Sequence, residues 1–192
     1  VNISARQLQE PNFFEMVESV LQETGLRPQL LELELTESTA MEDVSRSQDL
    51  LTQLREMGVQ IVIDDFGTGY SSLMRLKLLP MDAVKVDRSF IENIAQDPKD
   101  RALVMAIVAM ARNLGVTVVA EGVETLEQLE VLRSFEAQPL SVLRCDKVQG
   151  NLFSTPVETD EVPSLFDLAA DTAGPFESIR RVVAHRARAF GP

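Results

Sequence analysis

Asp64 and Asp65 stand side by side where a β-branched run, residues 59–63, comes to its end, and Gly67, Thr68, Gly69, Ser71 and Ser72 follow. Two acids at the end of a strand repel each other unless positive charge lies between them. At neutral pH a divalent cation held by oxygen ligands is the simplest source of that charge. The glycines permit a sharp turn and a close approach of backbone to ligand. For one such pair, a structural turn with two solvated acids is the plain alternative. What weighs against it is that Glu34, Lys85 and Glu121 also fall at or near the ends of strand-like runs.

The elements that must position these groups follow from periodicity. Residues 30–37 (LLELELTE) alternate cleanly, with Glu32, Glu34 and Thr36 on one face and Leu31, Leu33 and Leu35 on the other. Further strands are expected at 59–64, 83–87, 116–120 and 147–149, and residues 1–4 read as the last turn of another. Helical patterns fill 11–25, 45–57, 72–78, 100–114 and 126–135, with Pro11 at a helix start and Gly25, Gly58 and Gly115 as stops. Six strands in this order argue for parallel pairing with helical crossovers. A doubly wound nucleotide fold favours a glycine-rich fingerprint after its first strand, and none is present. The polar residues sit instead at the C-terminal ends of several strands, which is the habit of a (β/α) barrel of TIM type. If Leu33, Leu35, Ile61, Ile63, Val84, Val86 and Val118 pack against helices, then Glu34, Asp64, Lys85 and Glu121 point into the barrel mouth. Unpaired charges there cost several kcal/mol each, so metal or partner charge is expected. An interior ion pair of Lys85 with Glu32 or Asp64 is the structural alternative.

The composition narrows the function classes. The net charge of −12 disfavours a sequence-independent grip on polymeric nucleic acid, but not a small anionic ligand whose acids are neutralised by metal. One cysteine, Cys145, excludes an internal disulfide and fits a reducing, cytoplasmic setting. No apolar run approaches the roughly 18 residues of a membrane span. The chain opens on Val1 rather than Met, inside a strand, and so reads as a fragment.

VNIS at 1–4, ELTES at 34–38, DDFGTGYSSL at 64–73, LP at 79–80, KVDRSF at 85–90, AEGVET at 120–125 and QG at 149–150 occur in this order. Together they resemble the EAL-domain family, whose members hydrolyse cyclic di-GMP to linear pGpG. The resemblance covers residues 1–156, leaving 157–192 as a C-terminal helical tail. It implies an α/β fold, an EAL-like modified TIM barrel with one antiparallel strand. About six of its eight strands would be present, since the Glu-Ala-Leu motif that names the family is absent and the barrel reads as incomplete at its N-terminus. It also implies Asn2, Glu34, Asp64 and Asp65 as metal ligands and Glu121 as a ligand or general base. Lys85 would hold the attacking water, Gln149 would be a further active-site residue, and Glu37 and Glu124 would be supporting acids. Glu37 steadies loop 66–73, which mediates homodimer contacts in relatives. Full-length relatives often carry sensory or diguanylate-cyclase modules, some of them membrane-anchored.

In the chemistry so implied, two Mg²⁺ or Mn²⁺ ions acidify a water and absorb charge on the leaving oxygen. Asp64 would be the carboxylate shared between them, with Asp65 on the second ion, and hard oxygen ligands favour these ions over Zn²⁺. Arg88 is expected to meet ligand phosphate or to pair with Asp87 or Glu92. Ser71 and Ser72 are expected as helix caps, and Cys145 as a packing residue. Segment 136–144 lengthens the link before Gln149. The tail carries a helix at 162–170, a hinge at 173–175 and an amphipathic stretch at 176–190 with the lone His185, which is not a ligand. Two other function classes remain: a cyclic di-GMP receptor without turnover, and a metal-dependent barrel enzyme acting on carboxylates with Lys85 as base. Open sheet edges beside residues 1–4 and Val148 are expected to seek another chain.

Overall fold

The computed structural model describes residues 1–42, 44–69, 77–135, 145–158 and 160–163. Residues 72–76 of the helix expected at 72–78, the caps at Ser71 and Ser72, the segment 136–144 and nearly all of the tail therefore lie outside the described residues, and residues 77 and 78 form a turn.

Five strands form one parallel sheet in sequence order: β1 (Glu32–Thr36), β2 (Gln60–Phe66), β3 (Ala83–Val86), β4 (Thr117–Ala120) and β5 (Lys147–Val148). Every pairing among the described residues is parallel, as alternating β and α elements require. The sixth expected strand is reduced to one bridge, Asn2 beside Glu34. The reason is local. The Ser4 hydroxyl and the Gln7 side chain form a reciprocal capping box, so the chain turns into helix α1 (Ala5–Leu8) directly after Ile3.

The longer helices follow their sequence signals closely. Helix α2 (Phe13–Thr24) starts two residues beyond Pro11 and stops at Gly25, whose φ of 66° is left-handed. Besides α1, two further short helices lie outside the expected set, α3 (Glu37–Glu42) and, after β3, α5 (Arg88–Glu92). The first begins at Glu37, where the sequence alternation of β1 still continues. The Thr36 hydroxyl accepts from the Thr39 N–H and turns the chain there. Helices α4 (Val44–Met57), α6 (Pro98–Asn113) and α7 (Leu126–Ser134) lead into or follow the strands.

The core lies between the helices and one face of the sheet. Leu33, Leu35, Ile61, Ile63, Val84, Val86 and Val118 are buried with Leu51, Leu54, Ile91, Val104, Val108 and Leu132. The other face is concave. Glu32 on β1 and Lys147 on β5 approach to 3.7 Å across it, although they belong to the two edge strands of the sheet. In a flat sheet those strands lie roughly 19 Å apart, at about 4.8 Å per strand. The sheet is thus strongly curled, with the sense of a barrel wall, and open rather than closed among the described residues.

Candidate active site

Polar groups gather at the C-terminal rim of this curled sheet because the pleat delivers them there. Glu34 lies at the middle of β1, Asp64 and Lys85 lie in the C-terminal halves of β2 and β3, and Glu121 directly follows β4, all on the face opposite the buried Leu35, Ile63, Val84 and Ala120. Lys85 is the hub. Its Nζ lies 2.6 Å from Glu121 Oε1, 3.0 Å from Glu34 Oε2 and 3.6 Å from Asp64 Oδ2. Only 6% of the residue is exposed. The interior ion pair expected with Asp64 is therefore present and extended to two further acids, but Glu32 takes no part and pairs with Lys147 instead.

Burial alone would lower the Lys85 pKa, yet hydrogen bonds to Glu121 and Glu34 and the charges of Glu121 and Asp64 reverse it and hold the ammonium above the ordinary lysine value. Glu121 moves upward, because burial and the charges of Asp64 and Glu34 outweigh its contact with Lys85. Asp65 also rises, through burial and then the charges of Asp64 and Asp87, with Lys85 opposing.

One device not legible in the sequence puts both aspartates to use. Between Ile63 and Phe66 the register of β2 against β3 slips: Ile63 faces Val84, and Phe66 faces Val86. Asp64 and Asp65 together therefore oppose the single residue Lys85, a β-bulge. Asp65 adopts a left-handed φ of 53° there, a conformation that aspartate tolerates better than most residues. Without the extra residue, strict alternation would send one of the two carboxylates toward the core. The adjacent acid pair was itself the signal, since a regular strand has no use for it.

The remaining expected residues are placed around this centre. Asn2 bridges to Glu34 on the neighbouring strand, with the Ile3 N–H donating to the Glu34 carbonyl at 2.7 Å. Gln149 joins the rim through its backbone: its N–H donates to the Ala120 carbonyl at 2.8 Å, and its carbonyl accepts from the Val123 N–H at 3.0 Å. Its side chain is exposed. Glu37 is buried and accepts from the Gly67 N–H at 2.9 Å, the steadying contact expected of it, although residues 70–73 of that loop lie outside the described residues. Arg88 pairs with Glu124 at 3.0 Å, and not with Asp87 or Glu92 as expected. Asp87 instead caps α5 through the Ser89 N–H. The turn 121–125 is fixed by Gln128, which accepts from the N–H groups of Glu124 and Thr125.

The donor set suits a hard cation. Glu34, Asp64 and Glu121 surround one ammonium and leave two negative charges in excess, before Asp65 is counted. All the donors are carboxylate or amide oxygens, the chemistry of Mg²⁺ and Mn²⁺ sites. Among the described residues no three acids already form a cage around an ion; they meet on Lys85 instead.

Known proteins share this fold. The EAL domain family model matches residues 1–156. Cyclic di-GMP phosphodiesterase NbdA of Pseudomonas aeruginosa is 46% identical over 157 residues, which is 82% of this chain and 19% of NbdA. The structure of the PaMucR phosphodiesterase in complex with c-di-GMP has a TM-score of 0.77 at 46% identity, covering 84% of this chain and 62% of that one. A manganese and cyclic di-GMP complex of Klebsiella pneumoniae BlrP1 has a TM-score of 0.71 at 34% identity, covering 81% and 38%. The chain spans about a fifth of the length of the curated relatives it matches.

Proposed function

This chain belongs to the EAL domain family, and from that premise we propose that it is a phosphodiesterase module that hydrolyses cyclic di-GMP to linear pGpG. One observation carries the reading: acids from β1, β2 and the turn after β4 meet the Lys85 ammonium of β3 within 3.6 Å at the rim of a curled parallel sheet. Asn2, Glu34, Asp64, Asp65 and Glu121 would hold Mg²⁺ or Mn²⁺. Bound there, such ions supply Lewis acidity toward water and toward the phosphoryl oxygen.

The chain's own groups divide the remaining work. Lys85, its charge favoured by the surrounding acids and nearly buried, neutralises the phosphoryl oxygens and donates a hydrogen bond that orients the attacking water. Glu121, 2.6 Å from that ammonium and with a raised pKa, accepts the water's proton. The water oxygen bonds to phosphorus as the phosphorus–ester oxygen bond breaks; the ester oxygen leaves with the electron pair and takes up a proton from solvent to become a hydroxyl, which opens the ring. Gln149 borders the same rim, and the Arg88–Glu124 pair lies on the turn beside Glu121. Glu37 holds the start of loop 66–73, through which a homodimer would form. Sensory or diguanylate-cyclase modules would complete the longer protein, as in the bifunctional diguanylate cyclase and phosphodiesterase MucR. No described helix is long and apolar enough to cross a membrane.

A receptor without turnover is the second reading, favoured by the described acids forming no group of three spaced to hold an ion. The two separate in one experiment. Calorimetry measures cyclic di-GMP binding in Ca²⁺, and chromatography measures pGpG release in Mg²⁺ or Mn²⁺. Binding with release supports the enzyme, binding without release supports the receptor, and no binding refutes both.

A further inference from the structure

Two stretches of the chain repeat each other. Residues 55–64 (REMGVQIVID) and 112–121 (RNLGVTVVAE) share Arg, Gly, Val and a terminal acid at identical spacing, and residues 82–85 (DAVK) match 146–149 (DKVQ). The likeness is structural as well. Gly58 and Gly115 are both left-handed, with φ of 105° and 72°. Val59 and Val116 each donate to a carbonyl in the last turn of the preceding helix, Leu54 at 3.1 Å and Ala111 at 2.9 Å. Asp82 exchanges two bonds with Ile61 of β2: its N–H donates to the Ile61 carbonyl at 2.8 Å, and its Oδ2 accepts from the Ile61 N–H at 2.9 Å. Asp146 does the same with Val118 of β4, at 3.0 and 2.9 Å.

Each aspartate is then gripped by the arginine of its own unit. Arg55 Nε lies 3.0 and 3.1 Å from the two Asp82 oxygens, and its Nη2 lies 2.8 Å from Oδ1. Arg112 reaches Asp146 Oδ1 at 3.4 Å, and its Nε is buried without a hydrogen-bond partner among the described residues. The first clamp is thus fully made and the second only in part. In the repeat, Glu121 takes the place of Asp64, and Gln149 that of Lys85.

We infer that Asp82 and Asp146 are positioning residues that set the heights of Lys85 and Gln149 against the acids of the rim. Each locks the start of its strand to the strand before it. Each also lies three residues, about 10 Å at 3.3 Å per residue, below the side chain it places. A slip of one residue would turn Lys85 to the opposite face of the sheet. Asp82 has the wider reach, because its carbonyl also accepts from the Thr117 N–H at 2.9 Å and so joins β4 to the same lock.

The test compares Asp82→Ala, Asp82→Asn and Arg55→Gln, each confirmed as folded by circular dichroism. The first readout is the slowly exchanging Lys85 ammonium signal in ¹H–¹⁵N spectra at pH 6, which needs neither substrate nor metal. The second is the division of any cyclic di-GMP effect between kcat and KM, the only arm that rests on the proposed function. In the unaltered chain the ammonium signal is expected to be present. In Asp82→Ala it broadens or shifts, and kcat falls on the order of ten- to a hundredfold with KM little changed. Asp82→Asn, which still accepts from Ile61, restores both readouts, and Arg55→Gln lies between. A folded Asp82→Ala that is less stable but keeps the wild-type ammonium signal reduces Asp82 to a structural residue and overturns the inference. If Asp82→Ala does not fold, an unchanged signal in Arg55→Gln overturns it equally. A chain that shows the expected signals but no hydrolysis refutes the enzymatic reading alone.

Discussion

Replacing Lys85 by methionine keeps the length of the side chain and removes the charge on which Glu34, Asp64 and Glu121 converge. At an effective dielectric of about 20, contacts at 2.6, 3.0 and 3.6 Å are each worth roughly 5 to 6 kcal/mol before other terms. Desolvation of a nearly buried ammonium removes several kcal/mol, and repulsion among the acids offsets more, so the intact cluster is close to balance. Its loss is not balanced, because three carboxylates remain facing one another. Breaking a buried pair costs about 3–5 kcal/mol. The low end applies here, because the acid side chains keep 17–20% exposure and can recruit water. We expect Lys85→Met to lose about 3 kcal/mol at pH 7 in EDTA, a fall in Tm of about 6–12 °C for a domain of this size. Adding Glu121→Gln to that variant should return about 1 kcal/mol or more, the coupling expected of groups in contact. Thermal unfolding followed by circular dichroism measures both. A Lys85→Met chain as stable as wild type, or a double variant that is simply additive, would show that the four groups do not form one electrostatic unit.

Other substitutions probe neighbouring parts of the rim. Asp64→Asn should weaken Mn²⁺ binding, measured by calorimetry, by more than the roughly 10–100-fold typical of an outer partner; equal affinity would remove Asp64 from the ligand set. Glu121 has its folded pKa raised, so its contribution to stability is complete below the unfolded glutamate value and declines as pH rises through the folded one. In EDTA, the stability of wild type relative to Glu121→Gln should therefore fall with rising pH across that window, and a flat difference in denaturant titrations would contradict it. Gly150→Ala should cost about 3 kcal/mol or more, because its Cβ would sit 2.2 Å from the Val123 carbonyl oxygen, a backbone atom that cannot swing aside. A variant within 1 kcal/mol of wild type in chemical unfolding would disprove that packing.

The sequence made the architecture readable wherever it was governed by period. Alternation in 30–37 located β1 to within two residues at its start, and glycine stops marked the ends of α2 and α4. The same two-residue period placed Glu34, Asp64 and Lys85 on one face, which is why most of the rim could be named in advance. What escaped was set by partners distant in the chain or by a break in period. The bulge at Asp64 and Asp65 violates alternation by design. Arg88 passed over Asp87 and Glu92, its neighbours in sequence, for Glu124, brought near by the adjacent strand end. The Arg55–Asp82 clamp joins a helix end to a strand start across residues whose spacing carries no local signature.

The contact between Glu32 and Lys147 has a consequence for how shape can be followed in solution. Both side chains are about half exposed, and such pairs contribute at most about 1 kcal/mol, so they cannot be what bends the sheet. They register the bend instead. Spin labels on these two positions would report any flattening of the wall as a lengthening between them, with little disturbance of the rim above.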